Sequence, residues 1–273
     1  MKKIEFMKMS GTGNDFILID NRDGKVPENK MSYLAERACR RRESVGADGM
    51  IFIVKSDKYD FKWKFFNSDG SEPEMCGNGS RCTARFALLN GIAGESMTFE
   101  TLAGPISADV SGRTVKVLMP VPTGLKTGID LPLEKGWVSA GFVNTGVPHV
   151  VVQVEDINNI PVNEKGRVIR YHSLFQPAGT NANFMSVKGK DQIYVRTYER
   201  GVENETLACG TGSIASSLIA NVRGLVSSPV TVTTSGGEEL KIYFEKDGEN
   251  FSRVWLEGGT SIIYKGELHD EAL

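Results

Sequence analysis

Met75-Cys76-Gly77-Asn78-Gly79-Ser80-Arg81-Cys82 is the stretch from which the rest of the chain is read. A cysteine stands directly before Gly-Asn-Gly-Ser, and a run able to form a helix follows, Cys82 to Leu89. Small residues ahead of a helix leave its first backbone N–H groups unshielded, so an anion can approach them. The same partial positive charge favours thiolate over thiol and makes Cys76 a candidate for a lowered pKa. The pattern recurs once. Ala208-Cys209-Gly210-Thr211-Gly212-Ser213 repeats Cys-Gly-x-Gly-Ser and leads into a second helical run, Ile214 to Ala220. A second likeness links Gly11-Thr-Gly-Asn-Asp-Phe16 with Gly179-Thr-Asn-Ala-Asn-Phe184. The two Phe positions are 168 residues apart and the two cysteines 133, so a duplicated α+β unit is expected, with about 35 extra residues in the first copy. Those residues would hold a helix at Met31–Arg42. Two copies related by a pseudo-dyad would aim both helix N-termini at one cleft.

Working outward, the chain has 273 residues, 40% hydrophobic and 24% charged, with a net charge of −2. That composition suits a globular protein of one or two domains. It gives no electrostatic case for nucleic acid or an anionic membrane. No apolar run nears the ~20 residues that span a bilayer. The basic start, Met1 to Lys8, lacks an apolar core segment and reads as a first strand, not a signal peptide. Four cysteines are too few for a disulfide scaffold, which places the chain in the cytoplasm with reduced thiols. Arg37 and Arg40-Arg41-Arg42 read as a solvated helix face.

Strands are expected up to Met9, and at 17–20, 50–54, 59–66, 97–101, 104–110 and 114–119. Pro120 to Gly124 reads as a linker. More strands follow at 137–144, 149–154, 192–198, 230–234, 240–244, 253–257 and 261–264, with a short helix at 169–174. Gly11-x-Gly13 lacks a third glycine and precedes a strand, so it is weak evidence for a nucleotide site. Cys39 and Cys82 fall on apolar helix faces and read as core. His149 stands at the mouth of a strongly apolar strand, where a base beside a thiol would be useful.

Two opposed helix N-termini can grip a carboxylate, and two thiols can then flank its α-carbon. One thiolate removes a proton from one face while the other thiol delivers one to the opposite face, inverting the centre without a cofactor. Two close low-pKa thiols would also oxidise readily, and a redox dithiol is the reading from another class, a hazard of such a site rather than its purpose. A metal site is not expected, since neither Cys-x-x-Cys nor paired His spacing occurs.

The Cys76-Gly-Asn-Gly-Ser-Arg81 motif, Glu199-Arg-Gly201 with Ala208-Cys-Gly-Thr-Gly212, and Gly11 to Phe16 together resemble diaminopimelate epimerases over essentially the whole chain. The resemblance implies an α+β fold of two pseudo-symmetric domains, each a mostly antiparallel sheet wrapped round a central helix. It places them at 1–122 with a closing strand at 263–273, and at 123–262. It also implies PLP-independent interconversion of L,L- and meso-diaminopimelate on the lysine and peptidoglycan route, in a homodimer. Carried over by position, Cys76 and Cys209 are the acid/base pair, assisted by His149 and Glu199. The N–H groups of Gly77, Asn78, Gly210 and Thr211 hold the reacting carboxylate, and Asn14 and Glu199 contact the reacting amine. Asn67, Asn181 and Arg200 recognise the distal end. Two departures touch that end: Val147 stands where many members have Asn, and Gly49 where some have Gln. Racemases of the same fold acting on proline or histidine are the rival reading. Asn78, where proline racemase-like sequences carry His, argues against the first.

Overall fold

The computed structural model describes residues 3–133, 136–248, 250–269 and 271. Met1 and Lys2 of the expected first strand, and residues 270, 272 and 273 of the expected closing segment, lie outside these. The chain divides into two compact units, Met1–Val117 with Gly258–Leu273, and Leu118–Glu257. Among the described residues, no helix is long and apolar enough to cross a membrane.

In the first unit the strands are β1 (Ile4–Gly11), β2 (Asn14–Asp20), β3 (Gly49–Val54), β4 (Phe61–Asn67), β5 (Ser96–Thr101), β6 (Gly104–Ser111) and β7 (Thr114–Leu118). Helix α1 (Glu28–Ala38) lies between β2 and β3, and α2 (Gly77–Leu89) between β4 and β5. A strand from the far end of the chain, Ser261–Leu268, pairs antiparallel with β1. From there the order runs β1, β2, β3, β4, β5, β6, β7, antiparallel throughout except for the parallel pairs β2–β3 and β4–β5.

Burial follows from what covers each face. Phe16, Ile17, Leu18 and Ile19 are all buried, which a strand requires only when both its faces are covered. Ile17 and Ile19 join Met50, Phe52 and Phe66 in a cluster with Met31, Leu34, Ala35 and Ala38 of α1. Side chains alternate across a strand, so Phe16, Leu18, Ile51 and Ile53 face the other way, toward α2. Helix α2 packs on β1, β2, β3 and also on β6, so the sheet curls round it. Ten of its thirteen residues are buried, as befits a helix enclosed on all sides.

The second unit repeats this plan. Its strands are β8 (Thr123–Leu133), β9 (Gly136–Asn144), β10 (Pro148–Gln153), β11 (Asn181–Gly189), β12 (Gln192–Glu199), a short β13 (Asn204–Thr206), β14 (Val230–Thr234), β15 (Glu239–Asp247) and β16 (Asn250–Gly259). Strand Ser261–Leu268, paired with β1 above, is β17. The pairs β8–β9 and β9–β10 are antiparallel, β10–β11 parallel, β11–β12 antiparallel, β12–β14 parallel and β14–β15 antiparallel. That is the same succession as β17–β1, β1–β2, β2–β3, β3–β4, β4–β5 and β5–β6. Helix α3 (Val162–Arg170) stands where α1 stands, and α4 (Gly210–Val222) where α2 stands. Val162 and Ile169 of α3 pack on Val150, Val152, Ala182 and Phe184. Ten of the thirteen residues of α4 are buried.

The duplication is therefore real, but its phase differs from the sequence expectation. Strand β2 answers to β10, not to β11, so Gly11–Phe16 corresponds to Asn144–His149. Cys76 and Cys209 are 133 residues apart, Gly13 and Gly146 also 133, and Gly49 and Asn181 132. The copies are in near-constant register. No 35-residue insertion is needed, because α1 has its counterpart in α3.

Candidate active site

Each cysteine that opens a Cys-Gly-x-Gly-Ser motif is the N-cap of its unit's enclosed helix, in extended backbone, with helical residues beginning one position later. The small residues are thus the first turn itself rather than a prelude to it. Helical geometry leaves the N–H groups of Gly77 and Asn78, and of Gly210 and Thr211, without intrahelical acceptors. Those are the four groups the resemblance assigns to a carboxylate. The neighbouring Ser80 and Ser213 N–H groups bond back to the carbonyls of Cys76 and Cys209 at 2.8 and 2.9 Å.

In the first unit the tight hairpin between β1 and β2 comes up beside Cys76. Its two turn residues have positive φ, Thr12 at 53° and Gly13 at 81°, a hairpin turn that suits the sheet's twist. Gly79 N–H donates to Cys76 Sγ at 3.4 Å, and Asn14 Oδ1 lies 3.7 Å from the same sulfur. Asn14 Nδ2 donates to Asp48 Oδ2 at 2.6 Å. Asn78 Nδ2 reaches Asn14 Oδ1 at 3.5 Å, while Asn78 Oδ1 accepts from Arg81 Nη2 at 3.0 Å and Thr12 Oγ1 at 3.2 Å. Arg81 is wholly buried, and its Nη2 also bonds Thr12 Oγ1 at 2.7 Å.

Behind Asn14 lies an ion cluster that sequence reading missed. Arg41 reaches Asp15 at 2.7 Å and Asp48 at 2.9 Å, and buried Lys8 reaches Asp15 at 2.9 Å and bonds the Gly46 carbonyl. Burial works to raise the Asp15 pKa, but bonds from Arg41 and Lys8 outweigh it and hold the carboxyl at about 2. Arg41 was expected on a solvated helix face. It lies beyond the end of α1 and turns to this cluster instead, because two carboxylates there need a cation. No spacing rule links positions 8, 15, 41 and 48; only the folded sheet does.

In the second unit Cys209 Sγ sits 3.5 Å from Thr211 Oγ1, and Thr145 Oγ1 donates to the Thr211 carbonyl at 3.1 Å. His149 is fully buried. Its Nδ1 lies 3.1 Å from Asn183 Nδ2, which also donates to the Val150 carbonyl at 2.8 Å. That carbonyl fixes which end of the amide faces it, so His149 Nδ1 accepts and the ring proton sits on Nε2. Burial pushes the imidazole pKa down to about 3, so His149 is a neutral N–H donor at physiological pH and not a charged acid. Asn183 Oδ1 takes the Thr197 hydroxyl at 2.9 Å. A Cβ on Gly212 would lie 2.3 Å from that oxygen, so only glycine fits this first turn.

The residues expected at the distal end are engaged locally. Asn181 Nδ2 donates to the Pro148 carbonyl at 2.9 Å, and its Oδ1 accepts from Arg200 N–H at 2.8 Å. Arg200 Nη1 holds the Ala178 carbonyl at 2.9 Å. Asn67 Nδ2 donates to Ser71 Oγ at 3.0 Å within its turn. Glu199 ends β12, opposite Asn204. Val147 lies in the β9–β10 turn, where its carbonyl accepts from Thr145 N–H. At Gly49 a Cβ would meet Phe65 Cε2 at 2.6 Å and the Phe66 carbonyl at 2.8 Å, so this backbone has no room for the Gln of some relatives. Cys39 and Cys82 are buried thiols pushed up to about 12 by desolvation, which leaves them inert at neutral pH.

The twofold-repeated sheet, each copy closed on a helix, is a fold shared with known structures. A PhzF-family phenazine biosynthesis protein from Bacillus anthracis superposes with a TM-score of 0.75 at 17% identity, over 98% of this chain and 100% of that one. Sequence carries the assignment further. The diaminopimelate epimerase family model matches residues 6–124 and 141–262. The diaminopimelate epimerase of Aquifex aeolicus is 47% identical over 99% of both chains, and that of Hydrogenobaculum 45% identical over 97% of this chain and 98% of its own. The chain belongs to the diaminopimelate epimerase family, isomerases that act without PLP.

Proposed function

We propose that this protein interconverts L,L- and meso-diaminopimelate by moving the α-proton through two thiols, Cys76 and Cys209. The observation that carries the reading is the repeated placement of a cysteine as N-cap of an enclosed helix, once in each unit. The α-proton of an amino acid is very weakly acidic. Backbone N–H groups of Gly77, Asn78, Gly210 and Thr211, preorganised on the substrate carboxylate, would take up the charge that develops as the proton leaves. One thiolate takes that proton, and the other thiol returns one to the opposite face. The roles exchange with reaction direction.

In the same reading Asn14 and Glu199 hold the reacting amine, and Asn67, Asn181 and Arg200 hold the distal amino-acid end. His149 and Glu199 support proton exchange at the thiols, His149 as a neutral Nε2–H donor. Residence in the cytoplasm and a homodimer belong to the proposal too, the latter to be read by light scattering. The deciding experiment incubates reduced protein with L,L-diaminopimelate in D₂O without PLP. Deuterium at the α-carbon together with formation of the meso isomer is expected. Exchange only with proline, histidine or another amino acid would transfer the mechanism to a different substrate and end the assignment.

A further inference from the structure

The contacts around Asn14 have a direction. A carboxylate only accepts, so Asp48 Oδ2 at 2.6 Å must face the NH₂ end of the Asn14 amide. A guanidinium only donates, so Arg81 at 3.0 Å must face the oxygen end of the Asn78 amide. Each constraint is independent of the other. Both agree with the link between the two amides, Asn78 Nδ2 to Asn14 Oδ1 at 3.5 Å. A chain of donors and acceptors thus runs from Arg81 through Asn78 and Asn14 to Asp48. At Asn14 it branches to the thiol, through the contact of Asn14 Oδ1 with Cys76 Sγ at 3.7 Å.

Asp48 is held for this task. Its Oδ1 accepts from Arg41 Nη2 at 2.9 Å, and its Oδ2 accepts a second bond from Asp15 N–H at 3.1 Å. Its own N–H donates to Asp15 Oδ1 at 3.0 Å, and Lys8 and Arg41 in turn grip Asp15. We infer that Asp48 is a positioning residue, which fixes the Asn14 amide with its oxygen on Cys76. This rests on the two-thiol reading only in so far as Cys76 is taken to handle the α-proton. The oxygen gives the thiol hydrogen an acceptor and presents the same atom to an ammonium group of the substrate. Remove Asp48, and the long 3.5 Å bond from Asn78 Nδ2 is left to oppose a turn of the amide that brings its NH₂ toward the sulfur.

The test is a double-mutant cycle read on kcat and KM separately, with Asp48→Ala, Asp48→Asn and Asn14→Ala. Misplacing a group by about 1 Å can cost about 100-fold, so Asp48→Ala should lower kcat by about 10- to 100-fold. In Asn14→Ala protein the same change should have no further effect, because its only route to the thiol is already gone. Asp48→Asn keeps its oxygen as acceptor for Asn14 Nδ2 and the Asp15 N–H and gives up the Arg41 bond, Arg41 remaining on Asp15, and should stay within about fivefold of wild type by the same geometric argument. It also guards against an Asp48→Ala protein that does not fold.

A second arm needs no substrate. In Cys209→Ala protein, the rate at which iodoacetamide alkylates Cys76 should rise at pH 7 when Asp48 becomes Ala, since an NH₂ on the sulfur favours thiolate. Effects of Asp48→Ala and Asn14→Ala that multiply, an Asp48→Asn enzyme as poor as Asp48→Ala, or an unchanged alkylation rate would each overturn the inference. If wild-type protein fails to epimerise diaminopimelate, the substrate reading falls while the alkylation arm still decides this one.

Discussion

The first turns of α2 and α4 have the same backbone plan and different supports. At α2 the sulfur touches an amide oxygen and a helix N–H, Asn14 Oδ1 at 3.7 Å and Gly79 N–H at 3.4 Å, with an ion cluster behind the amide. At α4 the sulfur touches a hydroxyl, Thr211 Oγ1, and the polar support is a neutral network of Asn183, His149 and Thr197 packed under Gly212. The register explains part of this. Asp48 of the first unit falls opposite Thr180 of the second, 132 positions on, and Phe16 falls opposite His149. A duplicated fold has kept its helix ends and exchanged the chemistry around them. The two thiols share a helix-capping position and differ in environment, which suits the proposed reaction with its two proton-transfer faces.

The comparison breaks most visibly if the two thiols are not both required. General acid–base groups contribute roughly 10² to 10⁴-fold. Cys76→Ala and Cys209→Ala should each reduce epimerisation by about 10³-fold or more, followed by chiral separation of the product isomers. A variant that keeps near-normal turnover would leave the reaction with one thiol and the resemblance between the two helix ends without a use.

Much of this was legible in the sequence, and the reasons differ by region. Continuous apolar runs such as Phe16–Ile19 and Met50–Val54 announce strands covered on both faces, and the two Cys-Gly-x-Gly-Ser motifs announce the helix starts. Strand β8 escaped notice because Thr123–Leu133 carries glycines, a proline and register shifts against β9, so its alternation is broken. Helix α3 was expected too far along, at 169–174; it spans Val162–Arg170, and its buried face of Val162, Gly166 and Ile169 carries only two apolar side chains among charged residues. The phase of the repeat was misread for a physical reason. Gly-Thr followed by Asn and Phe is turn chemistry that recurs wherever a strand leaves a bend, so it marks β2 and β11 alike. The cysteine spacing, which depends on the whole unit, was the better ruler. The ion cluster of Lys8, Asp15, Arg41 and Asp48 was illegible, since its members meet only through the pairing of β1, β2 and β3.

Next in size is the response of the second unit to acid. His149 has a folded pKa of about 3 against an ordinary value of 6.5, because burial disfavours its charged form. Between those values the unfolded chain binds a proton that the folded chain does not. Stability is therefore complete above pH 6.5 and lost as pH falls, by about 1.4 kcal/mol per pH unit. Urea midpoints measured from pH 7 to pH 4.5 should decline with that slope, and His149→Gln should flatten it. A wild-type curve that is flat over this range would mean that the imidazole is hydrated, contrary to its burial.

Two glycines sharpen the contrast at the level of packing. Gly212→Ala pushes a methyl group to 2.3 Å from Asn183 Oδ1 and would dislodge the bonds to His149, Val150 and Thr197. A cost of about 1 to 3 kcal/mol is expected for such overpacking. Gly79→Ala meets the tip of Ile51 at 3.3 Å, a flexible end that can give way, and Cys76 Cβ and the Trp63 ring at an ordinary contact distance of 3.5 Å. With the helix propensity of Ala in its favour by roughly 1 kcal/mol, it should fall within about 1 kcal/mol of wild type. Thermal unfolding of the pair reads the difference directly. Equal losses would show that the two helix starts are packed alike.

The smallest effect belongs to the first unit at strongly acid pH. Asp15 is held at about 2, below an ordinary 3.8, by Arg41 and Lys8 against the opposing pull of burial. A depressed carboxylate stabilises the fold above its unfolded pKa and loses that contribution as pH falls toward the folded one. The window is therefore about pH 4 to 2, which overlaps the lower end of the His149 window and extends beyond it. Its size is at most about 2 kcal/mol, and less in salt because Arg41 is more than half exposed and its share of the field is screened. Asp15→Asn should reduce this second, shallower limb of the acid unfolding curve, which Asp20, Asp69 and Glu205 share, and leave the His149 limb unchanged. It should also loosen Asp48, whose own N–H donates to the Asp15 carboxylate and which shares Arg41 with it. If Asp15→Asn instead abolished the slope between pH 6.5 and 4.5, that slope would belong to the Asp15 cluster and not to His149.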